Sequence, residues 1–178
     1  MTPVPAWLAA EFWRPAFPPL TSGTARREAA LTSAIIEQFR VEDAKRYQPD
    51  EFGTRCNLFL SDVTRALGCH VPELWKVGPT YNEQRANHQI DWLKSKHAEL
   101  AGWHPVANDA AALERVNLGH VVVVGWHSGS DSPGHVAIGK PSAGARVLHV
   151  AQAGRSCFTD GPVSQGFGLL PVRFWTHD

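Results

Sequence analysis

Four consecutive valines, at positions 121–124, constrain this chain more than any other stretch. β-Branched side chains are stiff at χ1 and pack well on a pleated surface, so the run reads as a buried strand, flanked by His120 and Gly125. The texture of the sequence changes there. Downstream, HSGSDSPG at 127–134 is a turn-rich loop, HVAIGK at 135–140 a second strand, PSAGA a tight connection and RVLHVAQ at 146–152 a third strand. LLPVRFW at 169–175 is a fourth, and Pro171 suggests an edge position because proline cannot donate to a ladder.

Upstream the period is helical. Leu31, Ile35 and Phe39 form one stripe of a helix from Thr24 to about Arg40. In TRCNLFLSDVTRALG, Phe59, Val63 and Leu67 line a second helix that Gly68 stops. Thr54 is the expected N-cap of this helix, with Asn57 at the third helical position as a short capping-box partner. A loop around Pro72, Gly78 and Pro79 leads to a third helix with Ala86, Ile90, Leu93 and Leu100 inward, closed by Gly102 and Trp103. Asn108 caps a last helix through Val116, ended by Gly119. Helices followed by short consecutive strands make an α+β domain with an antiparallel sheet, not a parallel doubly wound one.

The size of the chain, 178 residues, fits one domain over 1–178: mainly helical over 24–119 and mainly strand over 120–178. Lys plus Arg equals Asp plus Glu, 17 each, which argues against a nucleic-acid partner. No apolar run reaches the roughly 18 residues of a membrane span. The opening MTPVPAWLAAEFWRPAFPPL has no basic start and is broken by prolines, unlike an export signal. It reads as an extended arm over 1–23 whose Trp7, Phe12, Trp13 and Phe17 pack on the domain surface. The cysteines, Cys56, Cys69 and Cys157, are odd in number and form no CxxC pair, so neither a disulfide framework nor a thiolate zinc knuckle is expected. A zinc amidase using His104, His120, His127 and His135 with Asp131 lacks HExxH or any similar compact spacing. The reading therefore calls for no metal or other cofactor.

Cys56 falls in the first turn of its helix. Backbone N–H groups there lack intrahelical partners, the helix dipole favours a thiolate, and the same amides can receive a developing oxyanion. The competing reading is a small apolar residue on the Phe59–Val63 stripe. Cys69 and Cys157 have neither a helix N-terminus nor an evident base. His135 opens a strand after Pro133 and Gly134, where a general base is well placed. A cysteine opening a helix and a histidine opening a strand of the sheet beneath it suit a Cys–His hydrolase. A third group must fix the imidazole tautomer. His149 and Gln152 are both on the next strand, on opposite faces if it is regular, so only one can serve and geometry alone leaves the choice open.

TRCNLFLSDVTRALG, a Gly-Trp, GHVAIGKP, AQAG, GFG and the terminal FWTHD together resemble the papain-like peptidoglycan hydrolases near the NlpC-like and CHAP amidases and peptidases, over roughly residues 45–178. The resemblance implies a papain-like fold, with N-terminal helices on an antiparallel sheet of about four to six strands. It also implies a nucleophile at Cys56, a base at His135 and an orienting residue at Gln152, the AQAG match favouring Gln152 over His149. Members of that group often carry an aromatic residue just before the cysteine, where this chain has Arg55. Asn57, Trp103, Trp126 and His127 are the candidates for substrate contact, although helix capping competes for Asn57 and core or rim packing for the others.

The expected activity is hydrolysis of an amide bond in the peptide part of peptidoglycan. A papain-like transferase or deamidase acting on a protein would use the same pair. A non-catalytic wall-binding module would use the tryptophans as platforms but has no need of a cysteine at a helix start. Peptidoglycan lies beyond the cytoplasmic membrane. A chain made in the cytoplasm without a signal peptide must therefore be carried to the periplasm or wall by other machinery. An antibacterial effector on a secretion-apparatus carrier, with an immunity protein in kin cells, fits this expectation, and a phage lysin released through a holin is the alternative. No membrane partner is expected.

Overall fold

A computed structural model describes residues 10–23, 27–51, 53–77, 80–83, 85–129 and 132–178. Trp7, Thr24, Gly78, Pro79 and Asp131 lie outside the described residues. In chain order the elements are α1 (Ala10–Trp13), α2 (Ala29–Glu37), α3 (Cys56–Ala66), β1 (Leu74–Val77), β2 (Thr80–Glu83), α4 (Ala86–Leu93) and α5 (Lys96–Leu100). There follow β3 (Trp103–Val106), α6 (Asp109–Asn117), β4 (Val121–Trp126), β5 (His135–Lys140), β6 (His149–Ala153), β7 (Cys157–Pro162), α7 (Val163–Phe167) and β8 (Arg173–His177). Two single 3₁₀ turns lie at Arg14–Ala16 and Lys45–Tyr47. The class is α+β: an open six-stranded antiparallel sheet in the order β3-β8-β4-β5-β6-β7, with β1 and β2 as a separate hairpin.

The valine run explains the layering. Val121 and Val123 join one core with Ile35, Phe59, Val63 and Ile90 from α2, α3 and α4. Val122 and Val124 join a second core with Ala112 and Val116 of α6 and Phe167 of α7. Both faces of the sheet are covered, so an unbroken β-branched run is the stable choice even though the ladder is antiparallel. α3 packs against β5 and β6 on the first face. Asn108 accepts from Ala111 N at 3.0 Å and caps α6 as the sequence predicts.

Several expectations fail for local reasons. β8 is interior, hydrogen-bonded to β3 on one side and β4 on the other, and Pro171 precedes the strand and interrupts no ladder. The long third helix is two helices. Ser95 breaks it by accepting from Ala98 N to cap α5, which turns Leu100 outward to 78 % exposure. Trp103 does not close a helix but opens β3, buried. In α2, which begins at Ala29, Leu31 is exposed while Ile35 and Phe39 are buried. The four-strand reading missed β3, β7 and the hairpin. The arm residues Ala10–Trp13 form a helical turn and are not extended. Phe12 and Trp13 lie over the Arg46 guanidinium, 5.5 and 5.2 Å from ring centroids, whereas Phe17 is exposed.

The back of α3 is fixed by a buried ion pair. Arg46 donates from Nε and Nη2 to the two Asp62 oxygens at 2.6 and 3.2 Å, and Tyr47 Oη donates to Asp62 Oδ2 at 2.8 Å. Both charged groups are nearly solvent-free. At the far end of α3, Arg27 donates to the carbonyls of Leu67, His177 and Asp178, joining the helix terminus to β8. Removing one member of a buried pair leaves an uncompensated charge. Arg46→Met is therefore expected to destabilise the fold by about 3 kcal/mol, and Arg46→Met with Asp62→Leu to recover most of that loss. Urea denaturation of the two variants is the check.

Candidate active site

Cys56 is the first residue of α3, which stands on β5 and β6, and its thiol is hydrogen-bonded to the imidazole of His135, the first residue of β5. His135 Nε2 lies 2.7 Å from Gln152 Oε1 on the neighbouring strand β6. The amide of Gln152 cannot flip without loss, because its Nε2 donates to Ser156 O at 3.0 Å. Oε1 is thus the acceptor, His135 carries its proton on Nε2, and Nδ1 is the ring nitrogen left available to the thiol. The three residues form one line across α3, β5 and β6.

The residues around this line pack closely on it. Phe167 of α7 packs on the His135 ring with centroids 4.9 Å apart. Gly166, beside it, presses its backbone on the Gln152 amide so closely that a Cβ there would stand 2.3 Å from Oε1. Gly134 similarly backs onto Trp126 O, which a Cβ would approach to 2.5 Å. A bulge in the β6–β7 pairing separates Val150 from Gln152. His149, the rival for the third position, instead reaches Asp160 with its Nδ1, 2.5 Å from Oδ1, away from His135.

The electrostatics follow from these contacts. Burial alone would push the Cys56 thiol up. The hydrogen bond and charge of His135, with contributions from the Val136 backbone and the Thr54 hydroxyl, outweigh it and hold the thiol below its ordinary value. Burial likewise opposes charge on His135, but its contacts with Cys56 and Gln152 raise it above the usual imidazole range. Both shifts favour a thiolate–imidazolium pair. Cys69 is the contrast: burial pushes its thiol up to about 12. All three cysteines are free thiols.

Thr54 is not the helix cap. Arg55 occupies the N-cap position and makes no side-chain cap, while the Thr54 hydroxyl bonds the thiol. Asn57 is accordingly the second helical residue, not the third. The first intrahelical bond is Phe59 N to Arg55 O at 3.0 Å, so the amides ahead of it have no helical carbonyl to bond.

A groove of about 1030 Å³ opens over Cys56 and His135. Of the residues expected to touch substrate, Asn57 and Trp126 line it. Trp103 does not: it is buried in β3, edge-on to His177 at 5.3 Å. His127 does not either; it is engaged with Asp91 Oδ2 at 3.3 Å and accepts from Gly129 N at 2.8 Å. Sequence reasoning missed Arg85, Arg155, Gln165 and Gly166 in the groove wall, and Phe167 behind the histidine. The GFG and AQAGR strings hold three of these five, whereas nothing in the sequence around Arg85 distinguishes it. No group of three or more His, Cys, Asp or Glu side chains that would hold a metal ion occurs among the described residues.

The chain matches no protein-family model. It also matches no curated protein sequence.

Iodoacetamide at neutral pH is expected to alkylate Cys56 well ahead of Cys69, as peptide mass mapping over time would show. Gly166→Ala should displace the Gln152 amide and lower the alkylation rate of Cys56 severalfold, with circular dichroism unchanged. An unchanged rate would mean that the amide is not what holds the imidazole.

Proposed function

We propose that the protein is a cysteine hydrolase of papain-like arrangement that cuts an amide bond in the peptide part of peptidoglycan. The observation that carries this reading is the Cys56–His135–Gln152 line at the floor of an open groove. The sequence resemblance adds the substrate class. A role in attacking the wall of other bacteria after delivery to the periplasm belongs to the same proposal.

The chemistry uses only groups already in place. Cys56 Sγ, its proton passed to His135 Nδ1, attacks the amide carbonyl carbon. The C–O double bond becomes an oxyanion, which the amides at the start of α3, having no carbonyl of their own helix to bond, are positioned to receive. The tetrahedral intermediate collapses with cleavage of the C–N bond, and His135 gives its proton to the leaving amine. A thioester to Cys56 remains. Water then attacks it, His135 takes the proton of the water, and return of that proton to sulfur releases the carboxylic acid. Gln152 keeps the ring upright throughout and enters no bond that changes.

Cys56→Ala and His135→Ala are expected to abolish turnover with the fold intact, since alanine suits an early helix position and the thiol has no substitute. Gln152→Ala should lose roughly 10- to 1000-fold, because it orients without reacting. His149→Ala should be near wild type. Mass spectrometry of digested peptidoglycan reads all four and identifies the bond. Wild-type activity in Cys56→Ala would overturn the assignment.

The pH dependence follows from the same pair. Activity should rise as Cys56 ionises, below the ordinary thiol range, and fall as the imidazolium deprotonates, above the ordinary imidazole range. The kcat/KM profile is therefore expected to be bell-shaped, with both limbs belonging to the coupled pair. Gln152→Ala should move the alkaline limb to lower pH, because it removes a contact that raises His135.

A further inference from the structure

The catalytic groove is cationic although the whole chain is neutral. Arg55, Arg85 and Arg155 are among the residues that line it, and no Asp or Glu among the described residues does. The imbalance is local, since Lys plus Arg equals Asp plus Glu at 17 each over the chain. Elsewhere basic side chains sit on acidic ones, as in Arg40–Asp43, Lys45–Glu11, Lys94–Asp91 and Lys96–Glu99. In the groove Arg55 alone does so among the described residues, tied to Asp50. Arg85 and Arg155 are exposed and have no carboxylate within ion-pair distance among the described residues.

Their positions are informative. Arg155 lies in the turn between β6 and β7, next to Ser156, whose carbonyl holds Gln152. Arg85 immediately precedes α4, with Ala86 behind it in the groove wall. Arg55 precedes the nucleophile itself. Three arginines on three separate chain segments therefore line the groove that holds the thiol. A planar guanidinium recognises a carboxylate with two parallel hydrogen bonds, which a neutral amide cannot match. A groove lined by arginines also raises the local concentration of anions.

From this we infer that the groove selects a peptide bearing free carboxylates beside the scissile amide, with Arg85 and Arg155 as the residues that read them. The inference rests on the hydrolase reading for its location. It adds the charge state of the substrate, and so separates free-acid stem peptides from those whose carboxylates are amidated.

The experiment compares a disaccharide-tetrapeptide carrying free carboxylates with the same compound after conversion of those carboxylates to amides. Hydrolysis by the wild type and binding by the Cys56→Ala variant are both measured at fixed ionic strength. Preference for the free acid is expected in both. Arg85→Gln and Arg155→Gln should each raise KM for the free acid about fivefold, and together about 20-fold, with little change for the amidated compound. Arg40→Gln removes the same charge from a residue outside the groove lining and should change neither. Equal KM and equal binding for the two compounds, with turnover intact, would overturn the inference and leave the hydrolase reading standing. Arginine-dependent binding of the free acid by Cys56→Ala with no cleavage by the wild type would do the reverse. An equal loss in Arg40→Gln would reduce the effect to overall charge and overturn it as well.

Discussion

The hydrogen bond between His135 and Gln152 is the constraint on which the site depends. It fixes which ring nitrogen bears the proton, and so which one meets the thiol. Its strength comes from its surroundings. Gln152 is buried, its second amide atom is committed to Ser156 O, Gly166 closes over one edge, and Phe167 packs on the imidazole face. A polar contact in a place with so little water is stronger, and costlier to break, than the same contact at a surface. The thiol is the downstream member of this line. Cys56 is held below its ordinary range chiefly by the ring that Gln152 orients, with smaller contributions from the Val136 backbone and the Thr54 hydroxyl.

Much of this arrangement was legible because residue type and local position agree. A cysteine at the first position of α3, a histidine at the first position of β5 and a glutamine late in β6 each stand at an element boundary, and boundaries are marked by Gly, Pro and changes of period. The choice between His149 and Gln152 was not legible from strand alternation. The β6–β7 bulge alters the local pairing, and His149 finds Asp160 across it. Thr54 shows the same limit on a smaller scale. Its hydroxyl has two acceptable partners nearby, the helix amides and the thiol, and only the packed fold decides between them.

The misread elements have a common cause. β3 has the sequence WHPV and begins directly after Gly102; its strand character comes from pairing with β8 and not from its own residues. β8 was placed at an edge because of a proline that lies before it. Strand order depends on contacts distant in sequence, to which local pattern is blind. The split between α4 and α5 belongs elsewhere: Ser95 is a cap whose competing helical reading was favoured by apolar spacing alone. Trp103 fell with these elements, since a residue assigned to a helix end cannot be foreseen as the buried start of a strand.

The central place of β8 has a consequence for how the molecule comes into being. Cys56, His135 and Gln152 all precede it in the chain, yet β3 and β4 can join into one sheet only when Arg173–His177 enters between them. Arg27 then ties the same strand to the end of α3. During synthesis Cys56, His135 and Gln152 therefore exist before the sheet that aligns them is complete. Closing contacts of such large sequence separation is slow relative to local helix formation. The nascent chain carries the parts of the site before β8, the strand that closes the sheet around them, has been made.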